Sequence, residues 1–360
     1  MLKINMRSLA NCVKGQGVGS CYDEQVGLVQ EGLTDFIISE NKKGRFDLVH
    51  YHTVNLQYYF ERLLNRHSTV GISYVHFLPE TLDESLKLPA IARKVFYKYL
   101  LAFYNSMDYL VTVNPYFVER IRSYGIDHPK VLCIPNFVSS KNFYPMSDEV
   151  ARVSRLQYDI PINKFVVLGV GQLQTRKGIF DFVETANKMP DVHFVWAGGF
   201  SFGRISDGYE EIKKLLANPP ENVSFLGILK RENMSAVYNM ADMMFLPSYD
   251  ELFPMSILEA LCCKKPVLVR DISLYNDILF DYCMKGQSTD EFAALIKLIA
   301  KDASAYNQWS EKSWECHQLY SEESILRQWE NFYHNAYTSL KEEKENGRKR
   351  GQLKVWLERR

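Results

Sequence analysis

Short apolar runs separated by stretches of helical periodicity recur along almost the whole chain. In the first part, runs at 2–6, 36–38, 48–51, 71–76, 109–113 and 131–134 predict strands. Stretches near 20–33, 55–66, 89–106 and 115–124 predict helices between them. After a polar stretch at 139–163 the rhythm resumes. Strands are predicted at 165–170, 194–197, 223–226, 243–246 and 267–269, and helices near 178–188, 208–217, 232–240, 254–263 and 289–300. Uninterrupted apolar runs are what strands buried on both faces look like, and strand–helix alternation builds parallel sheets covered by helices. The pattern therefore predicts an α/β protein with two doubly wound domains, 1–150 and 151–323, facing across a cleft. Ligands of such sheets sit at the carboxyl ends of the strands, so the cleft is the expected site.

From 324 to 341, Ile325, Leu326, Trp329, Phe332, Tyr333, Ala336, Tyr337 and Leu340 recur at helical spacing and make one wide apolar stripe. That helix is expected to cross back to the first domain, followed by a basic, solvated or surface-bound tail at 342–360.

Composition narrows the class. Lysine plus arginine and aspartate plus glutamate both number 43, a formal net charge of zero, which disfavours a general nucleic-acid binder. Seven cysteines, an odd number with no C-x-x-C, argue against a disulfide framework or zinc site and for a reducing compartment. No apolar run approaches the ~20 residues that span a bilayer. Any membrane contact is expected at the surface.

The strongest chemical signal is Glu251-Leu-Phe253-Pro254-Met255-Ser256-Ile-Leu-Glu259, which follows the apolar run MMFLPS. Pro254 suits the first turn of a helix, since its missing N–H would be unpaired there anyway. Glu251 then lies in the loop and Glu259 in the second turn, on either side of a helix N-terminus whose free N–H groups suit a phosphate. The same spacing also describes an ordinary helix with an acidic neighbour. A second signal is Gly169-Val-Gly171-Gln172-Leu-Gln-Thr-Arg176-Lys177-Gly178, with two cations in a glycine-rich loop after a strand. Glycines at 15, 17 and 19 mark a further loop open to close backbone approach. His50 and His52 alternate on one strand, but no third ligand is spaced for a metal, so no metal site is expected there.

Together these segments resemble the retaining GT-B glycosyltransferases of the large nucleotide-sugar family 4. The resemblance covers essentially the whole chain and is clearest over 165–270. It implies a GT-B fold of two Rossmann-like domains, and a hexosyltransferase that needs no metal or other cofactor and uses a UDP-sugar donor. D-x-D is absent from the chain, in keeping with that metal independence. It implies catalytic roles for His76, Arg176, Lys177 and Glu251. It implies donor contacts from Gly15, Gly17, Gly19, Gln172, Gly227, Phe253, Pro254, Met255, Ser256 and Glu259. Gln172 stands where members usually carry Arg, which leaves Arg176 and Lys177 as the cationic contacts for the diphosphate.

The segment 86–104 carries only positive charges, Lys87, Arg93, Lys94 and Lys98, among apolar and aromatic residues such as Phe96. Such a segment suits the face of an anionic bilayer. With 75–81 and the N-terminal VKGQGVGS it is similar to the bacterial glycolipid branch of the family, which implies UDP-glucose or UDP-galactose as donor and diacylglycerol or glucosyl-diacylglycerol as acceptor. The enzyme would then be cytoplasmic, docked on the inner face of the membrane. Synthesis of capsular or other surface polysaccharide, and a non-catalytic nucleotide-sugar-binding scaffold, are the alternatives.

Overall fold

In the computed structural model the chain forms two six-stranded parallel sheets, each wrapped by helices. The structure describes residues 1–10, 17–76, 78, 79, 89–126, 131–201, 203 and 206–357, with only the backbone of Leu340 and of 343–357. Gly15 and Lys87 lie outside the described residues, as do Arg359 and Arg360.

The first sheet contains β1 (Leu2–Arg7), β2 (Phe36–Glu40), β3 (Leu48–Tyr51), β4 (Val70–Val75), β5 (Tyr109–Thr112) and β6 (Val131–Cys133), in the order β2-β1-β3-β4-β5-β6. The second contains β7 (Val166–Val170), β8 (His193–Ala197), β9 (Val223–Gly227), β10 (Met243–Leu246), β11 (Val267–Arg270) and β12 (Met284–Gly286), in the order β12-β11-β10-β7-β8-β9. Each order reverses direction at its first strand, β1 or β7. That reversal opens the crevice in which doubly wound sheets hold ligands. Runs such as Met243–Leu246 are buried on both faces, which is why they lack polar alternation.

Three segments depart from the expectation. The polar stretch at 139–163 holds a helix, Asp148–Gln157, whose amphipathic face packs on the helix Arg231–Met240. The glycines at 17 and 19 are not in a loop: they open the helix Gly17–Gly32, whose third residue, Gly19, is buried. The tail is not separate from the last helix, which runs unbroken from Glu322 to Leu357.

That helix leaves the second lobe and lies against the first. Trp329 stacks near His50 and Tyr74, with ring centroids 5.2 and 5.6 Å apart, and Phe332 meets Tyr109 at 5.5 Å. Ile325, Trp329, Tyr333 and Ala336 are fully buried.

Beneath it sits a buried cluster. His50 and His52 have ring centroids 4.5 Å apart, and His52 lies 5.8 Å from His76. His50 Nδ1 lies 3.0 Å from the Tyr333 hydroxyl, which also accepts a hydrogen bond from Gln25 at 3.2 Å. Burial pushes the His50 and His76 imidazoles down to about 3, so all three rings are neutral in the fold. The unfolded chain takes up these protons near pH 6.5 and the folded chain does not, so stability falls as pH drops from 6.5 toward 3. Each of His50 and His76 is expected to remove about 2 kcal/mol by pH 5. Thermal midpoints at pH 7 and pH 5 test this: the drop should be smaller in His50→Asn than in the parent chain.

Candidate active site

The loop after β7 is shaped by glycine. Gly178 has φ 73°, and a Cβ there would sit 2.2 Å from the Pro247 carbonyl oxygen. Only glycine fits, and it turns the single 3₁₀ turn Thr175–Lys177 into the helix Ile179–Asn187. The turn thereby carries Lys177 back over Gly171 to meet the loop that follows β10.

There Lys177 Nζ and Glu251 Oε1 form a buried ion pair, with side chains 11% and 6% exposed. Burial alone would raise the Glu251 carboxyl, but the Lys177 and Arg176 cations outweigh it and hold it below its ordinary value. The Lys177 charge is therefore matched by Glu251 rather than standing free. Arg176 Nη1 donates to the Asp250 carbonyl at 3.1 Å, while its buried Nε has no hydrogen-bond partner among the described residues.

The helix starts where the sequence predicts, with Pro254 one position earlier than expected, at the N-cap of Met255–Cys262 rather than in its first turn. Glu259, in its second turn, is also engaged. Arg231 Nη1 donates to Oε1 at 2.9 Å and Tyr238 donates to Oε2 at 2.7 Å. Burial raises the Glu259 carboxyl, against the pull of Arg231 and Tyr238.

The 251–254 loop faces the first lobe. The Asn114 side chain, just after β5, donates to the Leu252 carbonyl at 2.7 Å. Asn136, just after β6, donates to the Phe253 carbonyl at 3.1 Å. The expected phosphate-binding helix end therefore lies at the junction of the two lobes, where Phe253 and Met255 are buried and Ser256 is half-buried. Gly227 ends β9 with φ 68°, while Gln172 is half-buried in the loop after β7. His76 follows β4 but is 6% exposed, its ring 4.6 Å from Tyr74. Its ring lies 5.8 Å from that of His52, so it joins the histidine cluster. Among the described residues no group of three His, Cys, Asp or Glu is placed to hold a metal.

Asn114, Asn136 and Arg231 were not singled out by spacing. Each asparagine follows a strand in the first lobe (V-N-P and P-N-F), and only the fold shows that both reach the 252–253 backbone.

Residues 152–315 match the family model described as glycosyl transferases group 1, and residues 34–141 match that of glycosyltransferase family 4. The alpha-galactosylglucosyldiacylglycerol synthase of Streptococcus pneumoniae is 42% identical over 335 residues, 92% of this chain and 89% of that protein. The chain belongs to the group 1, or family 4, glycosyltransferases. A second relative of this glycosyltransferase, the processive diacylglycerol alpha-glucosyltransferase of Acholeplasma laidlawii, is 29% identical over 80% of this chain and 84% of its own. The fold is GT-B. The sucrose-phosphate synthase of Thermosynechococcus elongatus superposes with a TM-score of 0.77 at 17% identity, over 94% of this chain and all of that one. Anabaena HepE, solved with UDP-glucose, gives 0.76 at 14% identity over 93% of this chain and all of its own.

Proposed function

We propose that this glycosyltransferase moves a hexose, glucose or galactose, from a UDP-sugar to a membrane glycolipid such as glucosyl-diacylglycerol or to diacylglycerol, with retention at the anomeric carbon and without a metal. The observation that carries the reading is the 42% identity to a glycolipid synthase over 335 residues, a length that must include both lobes. The charge arrangement supports the mechanism. As the anomeric carbon–oxygen bond to the β-phosphate breaks, negative charge grows on the UDP. Lys177, Arg176 and the N-terminus of the helix Met255–Cys262 supply positive charge there, the role a metal would otherwise fill. The acceptor hydroxyl forms the new bond on the same face, and its proton passes to the departing phosphate. Glu251 then meets the donor sugar and Glu259 the ribose. Incubation with radiolabelled UDP-glucose or UDP-galactose and each lipid tests this. Labelled lipid with retained configuration supports it; an inverted centre or label confined to water-soluble product overturns it.

We infer further that the first lobe docks on an anionic bilayer at the cytoplasmic face. The helix Ala90–Asn105 exposes Arg93, Lys94 and Lys98 together with Ile91 and Val95, while Phe96 is half-buried near Tyr99. The helix Leu56–Asn65 lies beside it through the Tyr59–Tyr99 contact at 5.8 Å. It exposes Leu56, Phe60 and Leu64, one per turn on one face, with Leu64 85% exposed. This second apolar ridge extends the surface expected from the sequence. No described helix is long and apolar enough to cross a membrane. Replacing Arg93, Lys94 and Lys98 by Gln is expected to weaken binding to anionic vesicles about a hundredfold, at ~1 kcal/mol for each cation. Vesicle sedimentation that does not change would remove the docking proposal.

A further inference from the structure

We infer that Arg231 is a positioning residue that ties closure of the two lobes to the grip on the donor's ribose, with Glu24 as its anchor in the first lobe. The inference rests on the proposed role of Glu259.

Glu24 lies in the helix Gly17–Gly32 of the first lobe and is 6% exposed. Arg231 opens the helix Arg231–Met240 of the second lobe. Its guanidinium is a fork. Nη2 donates to Glu24 Oε1 at 2.5 Å, and Nη1 donates to Glu259 Oε1 at 2.9 Å. One cation therefore joins two carboxylates that belong to different lobes. Both carboxylates are otherwise held in place. Glu24 Oε2 accepts from the Ser139 N–H at 3.0 Å, and Glu259 Oε2 accepts from Tyr238 at 2.7 Å.

The surroundings belong to the two segments where the chain passes between the lobes, the first after β6 and the second at the start of the last helix, Glu322–Leu357. The guanidinium lies over the Phe143 ring, 5.2 Å from its centre. At the second crossing, Glu322 accepts hydrogen bonds from the Ser139 and Ser140 hydroxyls at 2.9 and 3.0 Å. A cavity of about 530 Å³ beside the guanidinium is bordered by Glu24, Ser139, Asn142, Arg231 and Glu322.

Separation of the lobes must break one arm of the fork. Released from Glu24, Arg231 is free to turn wholly onto Glu259 and occupy the lone pairs that ribose hydroxyls would use. Closure draws one arm back to Glu24 and leaves Glu259 fixed by Tyr238 and a single Arg231 nitrogen, with lone pairs to spare. Lysine has no planar fork, so it would hold the two carboxylates without the fixed two-pronged geometry of the guanidinium.

The test is calorimetric titration with UDP and with 2′,3′-dideoxy-UDP, which lacks the ribose hydroxyls. Glu24→Gln is expected to weaken UDP binding about tenfold, the scale of one charge-assisted hydrogen bond, while leaving the affinity for the dideoxy compound unchanged. In a Glu259→Gln background, Glu24→Gln is expected to have no further effect on UDP. Equal losses for both nucleotides, or the same loss with and without Glu259, would assign Glu24 a structural role only and overturn the inference. Glu259→Gln that binds UDP normally would overturn the ribose assignment as well.

Discussion

Lys177→Met is expected to reduce transfer about 10²–10³-fold, the largest single loss in the site. In the proposed mechanism the ammonium stands where charge grows on the departing diphosphate, and one preorganised contact of this kind is worth about 10²–10³ in rate. The substitution also strips Glu251 of its partner in a site where both side chains are buried. Breaking such a pair costs about 3–5 kcal/mol because a buried charge is left unmatched. The fold is therefore expected to be weakened as well as the activity lost. Sequence spacing alone, which shows two isolated charges, does not reveal this. The double variant Lys177→Met, Glu251→Gln separates the effects. Its thermal midpoint should return toward that of the parent chain while transfer stays abolished. A single Lys177→Met enzyme with normal kcat would remove the site assignment.

Gly178→Ala is the second large effect, and it acts through geometry. At φ 73° an alanine is strained, and its Cβ would meet the Pro247 carbonyl at 2.2 Å. The two nearest atoms are backbone atoms of Pro247, so backbone must shift, and a shift of the turn Thr175–Lys177 would carry Lys177 away from Glu251. Strain of this kind costs about 1–3 kcal/mol before the clash is added. Expected outcomes are a lower thermal midpoint and UDP binding at least about tenfold weaker, since the contact that positions the cation is lost. Calorimetry on folded protein would contradict this if UDP affinity were unchanged.

The legible parts of the chain share a physical cause. Strands such as Val166–Val170 and Met243–Leu246 are buried on both faces, so they read as continuous apolar runs. Pro254 and the carboxylates at 251 and 259 announce a helix start between two acids. The stripe from Ile325 to Tyr337 announces a helix with one buried face.

What stayed hidden lacks such signals. β12 is three residues with a lysine at its centre. The helix Ala303–Leu319 is polar nearly all round and buries Ser313, Cys316 and His317, which follow no apolar period. Arg231 sits in Lys-Arg-Glu-Asn, where nothing distinguishes a cation at a lobe junction from one in solvent. Its importance comes from Glu24, 207 residues away in the chain. The glycines at 17 and 19 look like a loop because glycine disfavours helix, yet they form the start of one, where tertiary packing decides. His76 looks like a strand-end catalytic group, and its packing against His52 and Tyr74 is visible only in the fold.

The most direct test of the account is a crystal structure with UDP. The diphosphate is predicted to lie within hydrogen-bond distance of the N–H groups at the start of the helix Met255–Cys262 and of Lys177 Nζ, with the ribose hydroxyls on Glu259. A nucleotide bound elsewhere, with this helix end closed against Asn114 and Asn136 and no phosphate beside it, would contradict the account.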